Sequence, residues 1–400
     1  MNTSQQILGP QIEGRSARAH WIDTDSALHQ LVEVLRNDDS LAIDTEFHRE
    51  KTYYPRLALI QVARASGEIA LIDPFRVELK ALLPLFDSSI EFIFHAFDQD
   101  LAILERAVGA VPKRLYDTQI AAAFLGTARA GLGTLLEKFL AVKAQKADRF
   151  SDWTLRPLSK GQIDYASTDV VHLHSLRYAI NKELIRLGRV RWVDEELQRT
   201  LERQHKLVEP ELAWLRIKEC RTLDEQSKRV ARALGTWREL TARENDIPCR
   251  YVLSDLAVAT IAHAKPRSLD VMLNLRGVDS NRMSNKIQTE IMETIKAGLS
   301  SPVPAESISD GAPYPKHLTP LVQLCQAWVT SVAQQAQIDS VIVSSKDDIQ
   351  DLLAKKEHAR LRSGWRYELV GKDIIDLIEG RSAIRVQRQE SLETFPLDTP

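Results

Sequence analysis

The chain has 400 residues, of which 44% are apolar and 27% charged, with a formal net charge of −2. That is the balance of a soluble globular protein, and the length exceeds what one hydrophobic core organises, so two or three domains are expected. A charge so near zero excludes any global attraction to nucleic acid and leaves such binding to local basic patches.

The three cysteines, Cys220, Cys249 and Cys325, lie far apart with no CxxC spacing. This excludes a disulfide framework and a zinc site and suits a reducing compartment. Met1 to His20 is polar, without the apolar core of a signal peptide, and no later run is long enough to cross a bilayer. A cytoplasmic protein with no membrane partner is expected.

After the polar leader, Ala19 to Ile22 reads as a short strand, and Asp23 or Thr24 can cap a helix carrying Leu28, Leu31, Val32 and Leu35. The stretch Leu41 to His48 follows as a strand. Its period of two puts Leu41, Ile43, Thr45 and Phe47 on one face and Ala42, Asp44, Glu46 and His48 on the other. Two carboxylates therefore share a face inside an apolar segment, where ionising both is costly unless a cation sits between them. Oxygen ligands alone point to magnesium or manganese rather than zinc; the bland alternative is a polar strand end in solvent.

Strands at Leu57 to Ala63 and Glu68 to Ile72, joined through Ala65-Ser-Gly67, must pair antiparallel. The pattern then alternates: a helix near Arg76 to Phe86, a strand Glu91 to His95, a helix from Asp98 to Val108 and a strand at Leu115-Tyr116. Helices near Gln119 to Leu125, Leu132 to Leu140 and Lys160 to Leu187 complete an α/β domain with a mixed sheet covered by helices. Past Gly188 amphipathic helices dominate to Gly298, with breaks at Ile247-Pro248 and Lys265-Pro266. Ser300 to Pro315, rich in proline, reads as a linker before a second helical module from Lys316 to Ile384, and Arg385 to Pro400 as a frayed tail.

Two further places carry acids where chemistry is expected. His95 to Leu101 lies at a strand-to-helix junction, the usual site region of open α/β sheets, and offers both Asp98 and Asp100. Either acid is also at home at a helix N-terminus. In Ile163 to Val171, Tyr165 and Asp169 are spaced i,i+4 and so share a helix face, as many surface pairs do.

Together, the Asp44-Thr-Glu strand, the His95 to Leu101 junction and the Tyr165-x-x-x-Asp169 helix resemble the three exonuclease motifs of the DEDD superfamily in its tyrosine-bearing branch. The resemblance is nearest to the ribonuclease D family. It extends to Thr52-Tyr-Tyr-Pro55, Leu59-Ile-Gln61, Tyr116-Asp-Thr-Gln119, Asp152-Trp153 and Arg156-Pro-Leu158. The family pattern, with its second acid directly before the first apolar residue of the helix, selects Asp100 over Asp98. Asp117 also falls in a family motif but reads as a helix cap, and Asp164 points about 100° round the helix from Tyr165.

The resemblance implies a ribonuclease H-like mixed sheet followed by two all-α HRDC-type domains. It implies that Asp44, Glu46, Asp100 and Asp169 hold two divalent ions, Mg²⁺ or Mn²⁺, on either side of the scissile phosphate, with Tyr165 positioning the attacking water. An ordinary tyrosine has a pKa near 10, so proton removal is not assigned to it. Phe47, by stacking on a base, and Gln61 are expected contacts for the terminal nucleotide; core packing and a buried hydrogen bond are their bland counterparts.

Leu234-Gly-Thr-Trp237 to Pro248, Val252-Leu-Ser254-Asp255, Pro266-Arg-Ser268 and Leu275-Arg-Gly277 resemble an HRDC domain, the helical module shared by RecQ helicases and ribonuclease D. Ser254 or Asp255 would cap one helix and Ser268 another, with Leu234, Trp237 and Leu240 as an apolar stripe. Between Arg216 and Arg243 stand eight basic and four acidic residues, an excess that either attracts a phosphate backbone or is a solvated helix face. Gln337 to Val343 and Leu361 to Gly371 resemble a second, more divergent HRDC-type domain.

The expected domains are 19–190 (exonuclease), 209–298 (HRDC), 299–315 (linker) and 316–385 (second HRDC-like). The expected activity is a metal-dependent 3′–5′ exoribonuclease releasing 5′-mononucleotides from precursor tRNA or similar structured RNA. It would act as a monomer with RNA as its partner. A DNA exonuclease and a catalytically silent RNA-binding protein are the competing readings, since one fold serves several functions.

Overall fold

The computed structural model describes residues 6–12, 15–143, 151–204, 209–280, 283–302, 315–388 and 390–397. It divides into two compact units, one of Met1–Phe47, Leu57–His205 and Pro315–Pro400, the other of His48–Arg56 and Lys206–Tyr314. Most of the expected proline-rich linker, residues 303–314, lies outside the described residues.

The first unit is built on a seven-stranded mixed sheet. Its strands are β1 (Gln6–Ile12), β2 (Arg15–Ile22), β3 (Ser40–His48), β4 (Arg56–Arg64), β5 (Ile69–Ile72), β6 (Glu91–Phe94) and β7 (Arg114–Asp117), in the order β1-β2-β5-β4-β3-β6-β7. The expected meander is there: β4 runs antiparallel to β5 in the register Gln61↔Leu71, and Gly67 closes their turn at φ +88°, a conformation that costs glycine least. Beyond it β3 pairs parallel with β6, and β6 with β7. The β3–β6 ladder ends at Ala42↔Ile93, while β3 continues to His48. Asp44 and Glu46 thus stand on a strand that has outrun its neighbour.

Helices α1 (Asp25–Leu35), α2 (Leu83–Phe86), α3 (Asp98–Val108), α4 (Thr118–Ala123), α5 (Leu132–Leu140), α6 (Lys160–Val171), α7 (Leu173–Arg186) and α8 (Val190–Gln204) complete this part. Leu28, Leu41, Phe92, Leu104 and Leu176 are among its fully buried side chains. Thr24, not Asp23, caps α1, its hydroxyl accepting from the Ala27 amide.

Several expectations need correction. The polar leader contributes β1 and most of β2, an antiparallel pair at the sheet edge; an edge strand is held by backbone bonds and tolerates polar side chains, so hydropathy does not reveal it. The helix expected from Arg76 begins only at Leu79 as a 3₁₀ turn, followed by α2 with a proline in its first turn. The helix expected from Lys160 to Leu187 is broken at His172. Just before the break, the hydroxyls of Ser167 and Thr168 bond back to the Ile163 and Asp164 carbonyls, which bends helices.

Residues 315–397 belong to the same unit. The helix Thr319–Gln335 leads into shorter helices up to Lys372–Ile378. The expected frayed tail is instead an antiparallel hairpin, β8 (Ser382–Gln387) with β9 (Ser391–Pro396), tied to the helix by the Leu392 amide donating to Ser331. The segment is therefore not all-α. It holds α8 through a stack of Trp192 on Trp365, 5.6 Å between centroids, with Phe124 edge-on to Trp365 at 4.9 Å. Arg366 and Arg360 both bond Glu196 of α8.

The second unit is helical around Glu225–Glu244, with Trp214, Val230, Leu234, Val258 and Ile291 in its core. Gly235 is required there, because a Cβ would lie 2.8 Å from the Trp214 Cβ. Ser254, not Asp255, caps the helix Asp255–Ala264. Ser268 occupies a cap position without a side-chain cap bond, and Leu240 is 50% exposed, outside the apolar stripe. Several of the eight basic residues are already engaged: Arg238 is buried and bonds the Leu253 carbonyl and Asp255, Arg243 bonds Glu239 and the Tyr53 hydroxyl, and Arg221 bonds the Leu215 carbonyl. Tyr53 in turn donates to Glu239, and the Tyr54 amide donates to Asp246 at 3.0 Å. The Thr52-Tyr-Tyr-Pro55 motif is thus a strap onto this helix.

Candidate active site

Alternation along β3 aims Asp44 and Glu46 the same way, and α6 brings Tyr165 and Asp169 towards them from one turn of helix. Carboxylate oxygens of Asp44, Glu46 and Asp169 all lie within 4.8 Å of one another. Each of the three keeps part of its surface open, so an ion can reach them. Burial, reinforced by the charges of Asp100, Asp169 and Glu46, holds the Asp44 carboxyl well above the usual carboxylate range. Burial and the charges of Asp169 and Asp100 push Glu46 up to about 8. Acids so arranged resist ionisation unless positive charge joins them. The donor set is carboxylate oxygen throughout and fits a hard divalent cation.

Asp100 arrives from the first turn of α3 and is buried, whereas Asp98 is exposed. It stands outside the close trio, near enough for its charge to raise both Asp44 and Glu46. Its own carboxyl is pushed up to about 6, burial outweighing the hydroxyl of Thr45, which donates to it. Thr45 therefore does not only pack on the apolar face of β3. It hydrogen-bonds the acid contributed by α3, a role that nothing in the sequence around Leu41 and Ile43 marks.

The junction that delivers Asp100 is pinned by Asp117. This fully buried carboxylate caps α4 by accepting from the Gln119 and Ile120 amides and also accepts from the Phe97 amide at 2.8 Å. The cap expected from the sequence therefore also fixes the turn before α3, where Ala96 has φ +62°.

Tyr165 hydrogen-bonds Asp169, and its pKa is raised by burial and by the charges of Asp169, Glu46 and Asp44. It stays a phenol, able to donate and unsuited to removing a proton. The indole of Trp153 packs against its ring, 6.0 Å between centroids. His95, at the end of β6, is kept neutral by burial, which pulls its pKa down to about 4.

Phe47 is half-buried beside Glu46. Gln61 is fully buried, and its amide oxygen and nitrogen have no hydrogen-bond partner among the described residues. It presents no surface to a nucleotide in this conformation. Asp164 is not part of the close trio.

Comparison with known proteins places the chain beside exonucleases. The 3′–5′ exonuclease family matches residues 19–185 and the HRDC domain family residues 227–295. The chain is 36% identical to a ribonuclease D of Zymomonas mobilis over 386 residues, covering 92% of this chain and 96% of that one. It is 34% identical to a ribonuclease D of Sphingobium indicum, over 92% and 97% of the two chains. Among solved structures it is similar to Escherichia coli RNase D, described as an exoribonuclease involved in structured RNA processing. That match has a TM-score of 0.79 and 27% identity and covers 90% of this chain and 98% of that one.

Proposed function

The chain belongs to the ribonuclease D family and is a 3′–5′ exoribonuclease, and we propose that Asp44, Glu46, Asp100, Asp169 and Tyr165 carry its chemistry on the 3′ ends of precursor tRNA or similar structured RNA. The observation that supports the assignment most is the meeting of Asp44, Glu46 and Asp169 within 4.8 Å. These three and Asp100 would hold two divalent ions, Mg²⁺ or Mn²⁺. When bound, the ions supply the charge neutralisation and water activation that phosphodiester hydrolysis needs.

The remaining steps belong to the chain. Asp100, fixed by Thr45 and by the Asp117-pinned turn, completes the acidic set from the side of α3. Tyr165, protonated and anchored on Asp169, orients the attacking water by its hydroxyl. Phe47 stacks on the terminal base. Residues 19–190 form the exonuclease domain and 209–298 the HRDC domain. In this reading 299–315 connects that domain to 316–385, a second HRDC-like module closed by the β8–β9 hairpin, and the protein works as a cytoplasmic monomer.

The test is RNA labelled at its 5′ end, with a single-stranded 3′ tail, incubated with magnesium or manganese. Stepwise shortening by one nucleotide, faster than on a matched DNA tail, is expected. No shortening in either metal would refute the assignment.

A further inference from the structure

The Asp152-Trp153 and Arg156-Pro-Leu158 motif has no part in the chemistry above, yet its guanidinium has every donor engaged. Arg156 Nε and Nη2 donate to the two carboxylate oxygens of Asp73 at 2.7 and 2.9 Å. Nη2 also reaches the Ala58 carbonyl of β4 at 2.6 Å, and Nη1 reaches the Trp153 and Leu155 carbonyls at 2.9 Å each. All five N–H donors of a guanidinium are thereby used. The group also lies over the rings of Trp21 and Phe75, 5.4 and 4.9 Å from their centroids, and Asp73 is 2% exposed.

The charge-assisted pair with Asp73 and the bond to the Ala58 carbonyl fasten residues 152–158 to the sheet, while the bonds to the Trp153 and Leu155 carbonyls tie the segment to itself. The fastened segment runs directly into α6. The Gln162 side chain donates to the Asp152 carbonyl, and Ser159 and Gln162 form the capping box that starts the helix. Trp153, 5% exposed, is held against the Tyr165 ring at a 40° tilt.

The Tyr165 hydroxyl sits at the end of a long lever. A small turn about the side-chain torsions displaces it by about 1 Å, enough to cost a large factor in rate when it aligns a nucleophile. Asp169 holds the tip of that lever and Trp153 bears on its side.

We propose that Trp153 and Arg156 are positioning residues for Tyr165. Arg156 locks the segment to Asp73 and Ala58, and Trp153 transmits that rigidity to the phenol ring. The inference rests on the role proposed for Tyr165, and the experiment separates the two. Trp153→Leu, Tyr165→Phe and the double variant are compared with the wild type on tailed RNA with saturating manganese, and manganese binding is measured separately by calorimetry.

Trp153→Leu is expected to lower kcat about tenfold, with KM and manganese affinity within about twofold of wild type. The double variant should be no slower than Tyr165→Phe alone, because a residue that acts through another adds nothing once that other is gone. Multiplying losses, an unchanged kcat in Trp153→Leu, or a parallel fall in manganese affinity would overturn the proposal. Full activity in Tyr165→Phe would remove the premise and the inference together. If Trp153→Leu does not fold, Trp153→Phe and Arg156→Lys go through the same cycle and the same outcomes decide.

Discussion

Asp44 is placed where its charge is least welcome. It is surrounded by Glu46, Asp100 and Asp169, all of which raise its pKa, as does its burial. Such a cluster destabilises the empty protein and rewards a cation, the usual trade between stability and function. Asp44→Asn should therefore raise the melting temperature of the metal-free protein. Manganese at about a hundred times its dissociation constant should stabilise the wild type by about 2.7 kcal/mol and leave Asp44→Asn nearly unchanged. Equal manganese stabilisation of both, by scanning calorimetry, would show that the ion binds elsewhere. At this scale the sequence is informative where side-chain geometry follows from local periodicity. Alternation along β3 pairs Asp44 with Glu46, and one helical turn pairs Tyr165 with Asp169. It is silent where burial decides. Asp98 and Asp100 suit a helix start equally well by local chemistry, so the choice of Asp100 came from the family pattern alone, and the fold buries Asp100 and leaves Asp98 exposed. Nor could a threonine on the apolar face of β3 announce that it bonds an acid from another element.

The turn between β6 and α3 shows how an element boundary governs the site. Asp117 receives three amides there, two from its own helix and one from Phe97. Asp117→Ala would leave those donors buried and unpaired and should cost about 2–4 kcal/mol. Asp117→Asn keeps an acceptor oxygen and should cost less than half as much. Denaturant titration of both variants checks this, and an alanine variant as stable as wild type would contradict it. Elements whose hydrophobic pattern matches their period, such as α1, β3, β6 and α5, were legible because burial wrote that pattern. The edge pair β1–β2 and the hairpin β8–β9 were not, since backbone ladders sustain them and such pairing needs no hydrophobic pattern. The break at His172 was hidden too, because the apolar spacing runs on from one helix into the next.

For the molecule as a whole, residues 315–397 are part of the same unit as the exonuclease sheet. Glu196 of α8 illustrates why. Its side chain is 12% exposed and is bonded by Arg366, itself 3% exposed, and by Arg360; these partners hold its pKa below the usual range against the opposing effect of burial. Arg366→Met would strand much of that charge and should destabilise the unit by about 3–5 kcal/mol, seen as a lower melting temperature. Pairing Arg366→Met with Glu196→Gln should recover part of the loss; no recovery would mean that the ion pair is not the source. The near-neutral overall charge is consistent with such internal pairing, which consumes cations that a sequence count assigns to nucleic acid, Arg238 and Arg243 included. Hydrolysis depends most on acids from β3, α3 and α6 gathering at a common cation site. Anomalous scattering from crystals of the full chain soaked in manganese tests that directly: a peak is expected among the carboxylates of Asp44, Glu46 and Asp169, and a map without density there would contradict such a site.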